Sequence, residues 1–154
     1  MKIRLYNKSQ DLDTIMDLFY RCVHEINASD YEADELDAMA PKNMDHYHWE
    51  SSLDKNHTIV AIEDDHIVGF GNIGQTGFLD RLYVDKDYLG RGIAGELAQH
   101  LEDYAKAKGN HIVNVYSPIT AQKFFEKRGY DTIEEVVSEK RGVRIFKYLM
   151  EKKL

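Results

Sequence analysis

Residues 80–101 read DRLYVDKDYLGRGIAGELAQHL. This segment predicts a strand over residues 82–84, a short turn, and a glycine-rich loop that opens directly into a helix. The first N–H groups of a helix have no partners within it, and the helix macrodipole favours negative charge there. Gly90 and Gly92 leave the backbone uncovered because they have no side chain, and Arg91 adds a positive charge. The segment therefore indicates an anion site of the kind that binds phosphate groups.

Two common phosphate loops do not fit this segment. A P-loop needs a Lys followed by Ser or Thr after its last glycine, and a dinucleotide-binding loop needs an acidic residue at the end of a second strand downstream. The sequence after Gly92 has neither. A plain helix entry without a ligand stays open as the alternative at this point.

Composition indicates one globular domain, which we expect to span residues 1–154. Of these residues 43% are hydrophobic and 31% are charged, both ordinary proportions for a globular protein. The net charge of −7 argues against a nucleic-acid-binding face, and no segment reads as a signal peptide or a membrane span. The one cysteine, Cys22, excludes an internal disulfide and favours a reducing compartment. We therefore expect a cytoplasmic monomer or homodimer without a membrane partner.

Hydrophobic periodicity predicts an α/β chain with a mixed sheet, in the order β-α-α-β-β-β-α-β-α-β-β. A further helix is predicted over residues 45–54. Asp64 and Asp65 predict a tight turn between two strands. Six of the predicted strands span residues 57–63, 66–73, 78–84, 111–116, 131–138 and 142–150. The long helix is predicted over residues 92–108.

Residues 89–94, Leu-Gly-Arg-Gly-Ile-Ala, resemble the cofactor loop of the GCN5-related N-acetyltransferases (GNAT). That loop reads Gln/Arg-x-x-Gly-x-Gly/Ala in the family. Gly92 and Ala94 fall on its last two positions, and Leu89 replaces the first. Because the loop acts chiefly through backbone amides, the resemblance implies that it binds the pyrophosphate of acetyl-coenzyme A.

A second GNAT signature, Asn-x-x-Ala-x-x-Phe-Tyr followed by Gly-Phe, has a partial match some thirty residues later. Ala121, Phe124 and Gly129 match it, whereas Pro118 replaces the Asn and Phe125 replaces the Tyr. In many members that Tyr protonates the departing thiolate of coenzyme A. Phe has no proton to donate, so another group must do so here.

The wording of residues 120–130, Thr-Ala-x-x-Phe-Phe-Glu-x-x-Gly-Tyr, is similar to the YafP-like branch of the family, whose members carry the same Phe-Phe pair. Asp30-Tyr31 and Leu79-Asp80-x-Leu-Tyr-Val add to this likeness. The resemblance covers nearly the whole chain. It implies the GNAT fold: a mixed, mostly antiparallel sheet of six to seven strands with about four helices, splayed between the fourth and fifth strands.

The resemblance implies an N-acetyltransferase that transfers the acetyl group of acetyl-CoA to a primary amine of a small molecule or peptide. The amine attacks the thioester directly, and no metal takes part. A non-catalytic module that binds and senses acyl-CoA is the alternative, because the usual Tyr is missing. The implied cofactor contacts are Leu82, Tyr83, Val84, Leu89, Gly90, Arg91, Gly92, Ile93, Ala94, Gly95, Thr120 and Phe124.

Asp80 is the candidate base that removes a proton from the amine. Side chains alternate along a strand, so Asp80 shares a face with Phe78 and Leu82, close to the position implied for the acetyl group. Burial among these apolar neighbours would favour its neutral form and make it a stronger base. An ion pair with a nearby Arg or Lys, or plain exposure, is the alternative. Tyr116, at the end of the predicted fifth strand, is the candidate acid.

The acceptor side is expected at the first helices and their loops, which are rich in aromatic and imidazole groups. His24, Tyr31 and Trp49 are the candidate substrate residues, forming a wall for a cationic or aromatic amine through cation–π contacts. A surface helix with Trp49 packed on the core explains the same pattern equally well. No metal site is expected at His46 and His48, because residues two apart on a helix diverge.

Overall fold

The computed structural model describes residues 1–154 as one seven-stranded sheet with helices on both faces. The strands are β1 (Lys2–Leu5), β2 (His57–Glu63), β3 (His66–Ile73), β4 (Phe78–Val84), β5 (Ile112–Pro118), β6 (Asp131–Lys140) and β7 (Val143–Lys153). The α-helices are α1 (Leu12–Glu25), α2 (Ala33–Met39), α3 (His46–Lys55), α4 (Ile93–Ala107) and α5 (Gln122–Lys127). The predicted fold is confirmed, with five α-helices where about four were expected.

The strand order is β1-β2-β3-β4-β5-β7-β6, and β4 with β5 is the parallel pair. β7 inserts between β5 and β6 and pairs antiparallel with both. Helices α1, α2 and α3 bury one apolar cluster against the sheet, and α4 with α5 buries a second cluster on the other face. None of the five helices has the length and apolar character that a membrane crossing requires.

Two tight turns set the hairpins. Asp64 and Asp65 have φ angles of 50° and 61°, the geometry of a two-residue turn between β2 and β3, as predicted. Arg141 and Gly142, with φ of 52° and 79°, turn β6 into β7 in the same way. Because two residues suffice for this turn, β6 continues to Lys140, beyond the end predicted at residue 138, and β7 continues to Lys153, beyond the end predicted at residue 150.

Glycines in β3 let α4 pack close to the sheet. A Cβ at Gly71 would lie 2.9 Å from Leu101 Cδ1 and 3.1 Å from the Arg81 carbonyl oxygen. A Cβ at Gly69 would lie 3.1 Å from Leu97 Cδ1. This close packing fixes where α4 begins, beside the end of β4.

β4 and β5 separate soon after they meet. They pair only at Phe78 with Asn114 and at Leu79 with Val115. From Asp80 onward the two strands diverge, so the β5-facing backbone groups of β4 have no strand partner. The predicted splay is confirmed, and the opening it leaves is the centre of the site.

Candidate active site

The N-terminus of α4 presents free backbone amides beside the splay. The first hydrogen bond of the helix runs from the Glu96 N–H to the Gly92 carbonyl oxygen at 3.1 Å. The N–H groups of Ile93, Ala94 and Gly95 therefore have no partner, and no side chain caps this end. Gly92 has a φ of 79° and no heavy atom within 4 Å of an added Cβ, so a ligand can reach the backbone.

The splay holds a cavity of about 200 Å³, here called the interstrand cleft. Its lining is mostly apolar and comes from β4, β5, α5 and the start of α4. Seven residues predicted to contact a cofactor are part of this lining: Leu82, Tyr83, Val84, Leu89, Ala94, Thr120 and Phe124. An apolar channel that ends at a free helix N-terminus suits a ligand with a slender neutral arm and an anionic head.

Two buried polar atoms in the interstrand cleft have no hydrogen-bond partner in the protein. They are Nδ2 of Asn27 and Oγ1 of Thr120. A buried polar group without a partner costs about 1–3 kcal/mol, so such groups indicate a missing ligand or water. Both residues line the space that a ligand in the cleft would fill. No sequence pattern indicated Asn27, because its place in the cleft depends on the bend of the chain after α1.

The other predicted cofactor residues, Gly90, Arg91, Gly92, Ile93 and Gly95, do not line the interstrand cleft, and the prediction that this loop acts through its backbone amides remains a prediction. Ile93 is 2% exposed and its side chain packs in the core, so only its backbone N–H is available. The guanidinium of Arg91 lies 4.7 Å from the centre of the Tyr88 ring on the surface. Gly90 and Gly95 have no side chain and can offer only backbone.

A second cavity of about 430 Å³ adjoins the cleft on the side of α1 and α3, here called the adjoining cavity. Four residues line both spaces: Asp80, Arg81, Tyr83 and Lys147. The two spaces therefore lie on either side of the same four residues. This shared wall is where two substrates could meet.

Arg81 anchors the shared wall. Its Nη1 donates a hydrogen bond to Ser52 Oγ at 2.8 Å and lies 3.2 Å from Asp80 Oδ2. Its guanidinium carbon is 4.0 Å from the centre of the Trp49 ring. Burial lowers the pKa of Arg81, although an arginine so paired stays charged.

Asp80 lies at the shared wall, but its surroundings differ from the expected apolar burial. Its side chain is 32% exposed and forms the ion pair with Arg81. The alternative that the sequence left open, an ion pair with a neighbouring Arg, is the arrangement found.

Lys147 on β7 is the site residue that the sequence did not indicate. It borders both cavities and forms neither an ion pair nor a side-chain hydrogen bond within the protein. Burial lowers the pKa of Lys147 to about 8, the charge of Lys140 acts in the same direction, and Asp80 opposes it. Near neutral pH its amine can both release and accept a proton.

Of the three predicted substrate residues, Trp49 alone lines the adjoining cavity, and it also packs in the core against Phe19 at 4.7 Å between ring centres. His24 stacks on Tyr20 and lies 2.8 Å from the Ala40 carbonyl oxygen, outside this cavity. The Trp49 contact joins α3 to α1, whereas the His24 contact lies within α1.

Tyr31 braces the β5 side of the splay and lines neither cavity. Its hydroxyl donates to the Phe146 carbonyl oxygen at 2.6 Å and accepts from the Ile119 N–H at 3.0 Å. One phenol therefore connects β7 to the segment after β5. This contact holds the far wall of the interstrand cleft in place.

We expect Tyr31→Phe to lower the free energy of unfolding by about 2 kcal/mol, because it leaves two buried backbone groups without partners. Urea unfolding measures this loss. Tyr20→Phe is the matched control, since the Tyr20 hydroxyl makes no hydrogen bond within the protein. Equal stability of the two variants would contradict the role given to Tyr31.

The remaining candidates for chemistry lie around the cleft. Tyr116 lines it with a ring that is 46% exposed and meets Phe78 edge-on at 5.8 Å. Phe125 is buried in the same wall against Tyr130. Cys22 also lines the cleft, but burial raises the pKa of its thiol to about 12, so it stays protonated.

Comparison with known proteins agrees with this geometry. The family described as "Acetyltransferase (GNAT) domain" matches residues 27–153. The uncharacterised N-acetyltransferase YafP of Escherichia coli (strain K12) is 29% identical over 150 residues, which are 97% of this chain and 94% of that protein. A GCN5-related N-acetyltransferase from Rhodopseudomonas palustris has a crystal structure that matches at a TM-score of 0.95 and 28% identity, over 99% of this chain and 95% of that one. The PaiA N-acetyltransferase of Thermoplasma acidophilum, crystallised with coenzyme A, matches at 0.80 and 19% identity over the whole of both chains.

The splayed sheet and the free helix N-terminus beside it define an acyltransferase fold. The chain belongs to the GNAT acetyltransferases. Its likeness to YafP extends over nearly its whole length, as the Phe-Phe pair implied.

Proposed function

We propose that the whole chain acts as one N-acetyltransferase domain that moves the acetyl group of acetyl-CoA to a primary amine of a small molecule or peptide. The shared wall between the two cavities carries this proposal. Acetyl-CoA would occupy the interstrand cleft with its pyrophosphate at the N-terminus of α4. The amine would enter through the adjoining cavity and attack the thioester directly, without a covalent acetyl-enzyme.

The unpaired backbone of β4 supports this placement. Residues 81–84 pair with β3, but residues 80–84 have no partner on the β5 side, so the N–H groups that point to that side are free to bond the pantetheine arm and the thioester oxygen. A donor aimed at that oxygen stabilises the negative charge that develops during attack. The orphan atoms of Asn27 and Thr120 supply further bonds to the arm.

Two side chains at the shared wall can take the proton that the amine must lose. Asp80 is one, but its carboxylate is held by Arg81, which makes it a weaker base. Lys147 is the other, and it has no partner that would hold its proton. We propose Lys147 as the proton acceptor and retain Asp80 as the second candidate.

Lys147 can also take the role of the missing Tyr, which protonates the departing thiolate in many GNAT members. A cysteine-like thiol has a pKa of ~8.5, so the thiolate of coenzyme A is a moderate base. The proton that Lys147 takes from the amine can therefore pass on to the thiolate, because the lysine borders the cleft as well. Tyr116 is the second candidate for this role.

Gly92→Ala tests the cofactor loop. A non-glycine residue at a left-handed φ costs about 1–2 kcal/mol, so the loop should shift and the KM for acetyl-CoA should rise about tenfold. Thiol release in the presence of a panel of amines measures it.

Gly109→Ala is the matched control. Gly109 lies at the other end of α4 with a φ of 86° and no heavy atom within 4 Å of an added Cβ. Both variants should lose similar stability, and only Gly92→Ala should change the KM. Tight acetyl-CoA binding with no thiol release on any amine would instead favour a module that senses acyl-CoA.

A further inference from the structure

The adjoining cavity is positively charged in a protein that is negatively charged overall. Its lining has two acidic residues, Asp45 and Asp80, and four basic ones. The whole chain has a net charge of −7. The basic residues of the lining are Arg81, Lys140, Arg141 and Lys147.

Both acidic residues already have partners in the protein. Oδ1 of Asp45 accepts a hydrogen bond from the His48 N–H at 3.1 Å, which caps α3. Asp80 is 3.2 Å from Arg81. Lys140 and Arg141, in contrast, form no ion pair within the protein.

The effect of this unbalanced charge is visible at Lys147. Burial is the main cause of its lowered pKa, and the charge of Lys140 lowers it further. A positive field that disfavours a proton on one lysine favours an anion at the same place. An anion bound near Lys140 would offset the repulsion between these two lysines.

The opposite wall of the cavity is apolar. It is built by Phe19, Met39, Pro41, Met44 and Trp49. The Trp49 ring already carries the guanidinium of Arg81 at 4.0 Å, so a cationic substrate placed there would meet an existing positive charge. This arrangement weighs against the cationic acceptor that the aromatic residues suggested.

We infer that the acceptor is a primary amine that also carries an apolar body and an anionic group, held by Lys140, Arg141 and Arg81 against the apolar wall. This inference rests on the proposed function of the site. The amine end would lie at the shared wall, and the anionic group would lie toward the β6–β7 turn, where Arg141 is located. An apolar amino acid has this combination of groups.

Matched acceptor pairs test the inference. Phenylalanine is compared with its amide and with phenethylamine, and O-phosphoethanolamine is compared with ethanolamine. We expect kcat/KM to be at least tenfold higher for the anionic compound than for its uncharged partners. A preference for phenylalanine would identify the anion as a carboxylate, and a preference for O-phosphoethanolamine would identify it as a phosphate. Equal or better turnover of the uncharged partners would overturn the inference.

The double variant Lys140→Gln/Arg141→Gln assigns the effect to these residues. We expect the KM for the anionic acceptor to rise about tenfold, with the KM for acetyl-CoA unchanged and the KM for uncharged amines changed by less than about threefold. Arg144→Gln is the control, because Arg144 is exposed on the same hairpin and lines neither cavity. An unchanged KM in the double variant would count against the inference.

A binding measurement separates this inference from the proposed function. Calorimetry titrates N-acetylphenylalanine and its amide into the protein and into the double variant. If no amine releases thiol from acetyl-CoA, the proposed function fails, while selective binding of the acid that the double variant loses still supports an anion site. Equal binding of acid and amide refutes the anion site even if the enzyme is active.

Discussion

Lys147→Met is expected to lower kcat about a hundredfold or more while leaving the KM for acetyl-CoA within a factor of about three, the range expected when a general base is lost. Methionine keeps the length and burial of the side chain but cannot carry a proton. Steady-state thiol release at saturating acetyl-CoA measures the effect. Lys153→Met, at the exposed end of β7, is the control.

The pH dependence of the rate identifies the side chain that accepts the proton. Because the pKa of Lys147 is lowered to about 8, the rate should rise as the pH increases through that value and then level off. With an acceptor amine whose own pKa lies above 9, this step should vanish in Lys147→Met and persist in Asp80→Asn. Loss of activity in Asp80→Asn with the step intact in Lys147→Met would assign the base to Asp80 instead.

A partly buried lysine with a lowered pKa, next to the position proposed for the thioester, can also be acetylated itself. Mass spectrometry after incubation with acetyl-CoA alone shows whether Lys147 gains an acetyl group. We expect none on the timescale of turnover, because the proposed reaction is direct. A Lys147 adduct that passes its acetyl group to an added amine would refute direct attack.

Glu102→Gln is expected to lower the free energy of unfolding by about 3 kcal/mol, as when one partner of a buried ionic network is removed. Glu102 is 4% exposed on α4. Its carboxylate accepts hydrogen bonds from Tyr130 at 2.8 Å, Arg128 at 2.8 Å and Lys152 at 2.9 Å. The glutamine would leave two cations without a counter-charge and tie α4 less firmly to β7.

This network also predicts acid sensitivity. Burial alone would raise the pKa of Glu102, but the bonds from Arg128, Lys152 and Tyr130 outweigh it, so its pKa in the folded protein is lowered. The stabilisation is therefore complete above the unfolded pKa of ~4.3 and is lost as the pH falls through the lower folded value. Urea unfolding between pH 7 and pH 3 should show a steeper loss in the wild type than in Glu102→Gln.

Asp103→Asn is the control for Glu102. Asp103 is the next residue of α4, and its carboxylate bonds only to exposed Gln99. Its free energy of unfolding should change by less than about 0.5 kcal/mol, as for most surface substitutions. A loss as large as that of Glu102→Gln would mean that any charge change on α4 is costly and that the network has no special role.

Much of the fold follows from local patterns. The Asp64-Asp65 turn and the long helix after Gly92 were predicted within one or two residues, because turns and helix ends depend on nearby side chains and backbone angles. The splay was expected only through resemblance to the family. Its physical cause, the short pairing of β4 with β5, depends on strands that are far apart in sequence.

The acceptor side shows where sequence patterns stop being informative. His24, Tyr31 and Trp49 were chosen for their residue types, yet the structure uses Tyr31 as a brace and stacks His24 on its own helix. Helical spacing says which side chains share a face. It does not say whether that face meets a cavity or another element, because that depends on how helices dock on the sheet.

The anion site could be predicted from the local sequence, since Gly90, Gly92 and the helix start that follows them are consecutive in the chain and need no distant partner. The side chains that surround this loop depend instead on contacts between segments that are far apart in the chain. Lys147 reaches the shared wall because β7 inserts between β5 and β6. Burial at that wall lowers the pKa of its amine to about 8. No local pattern distinguishes it from the surface lysines of the same strand, because desolvation is a property of the folded surroundings.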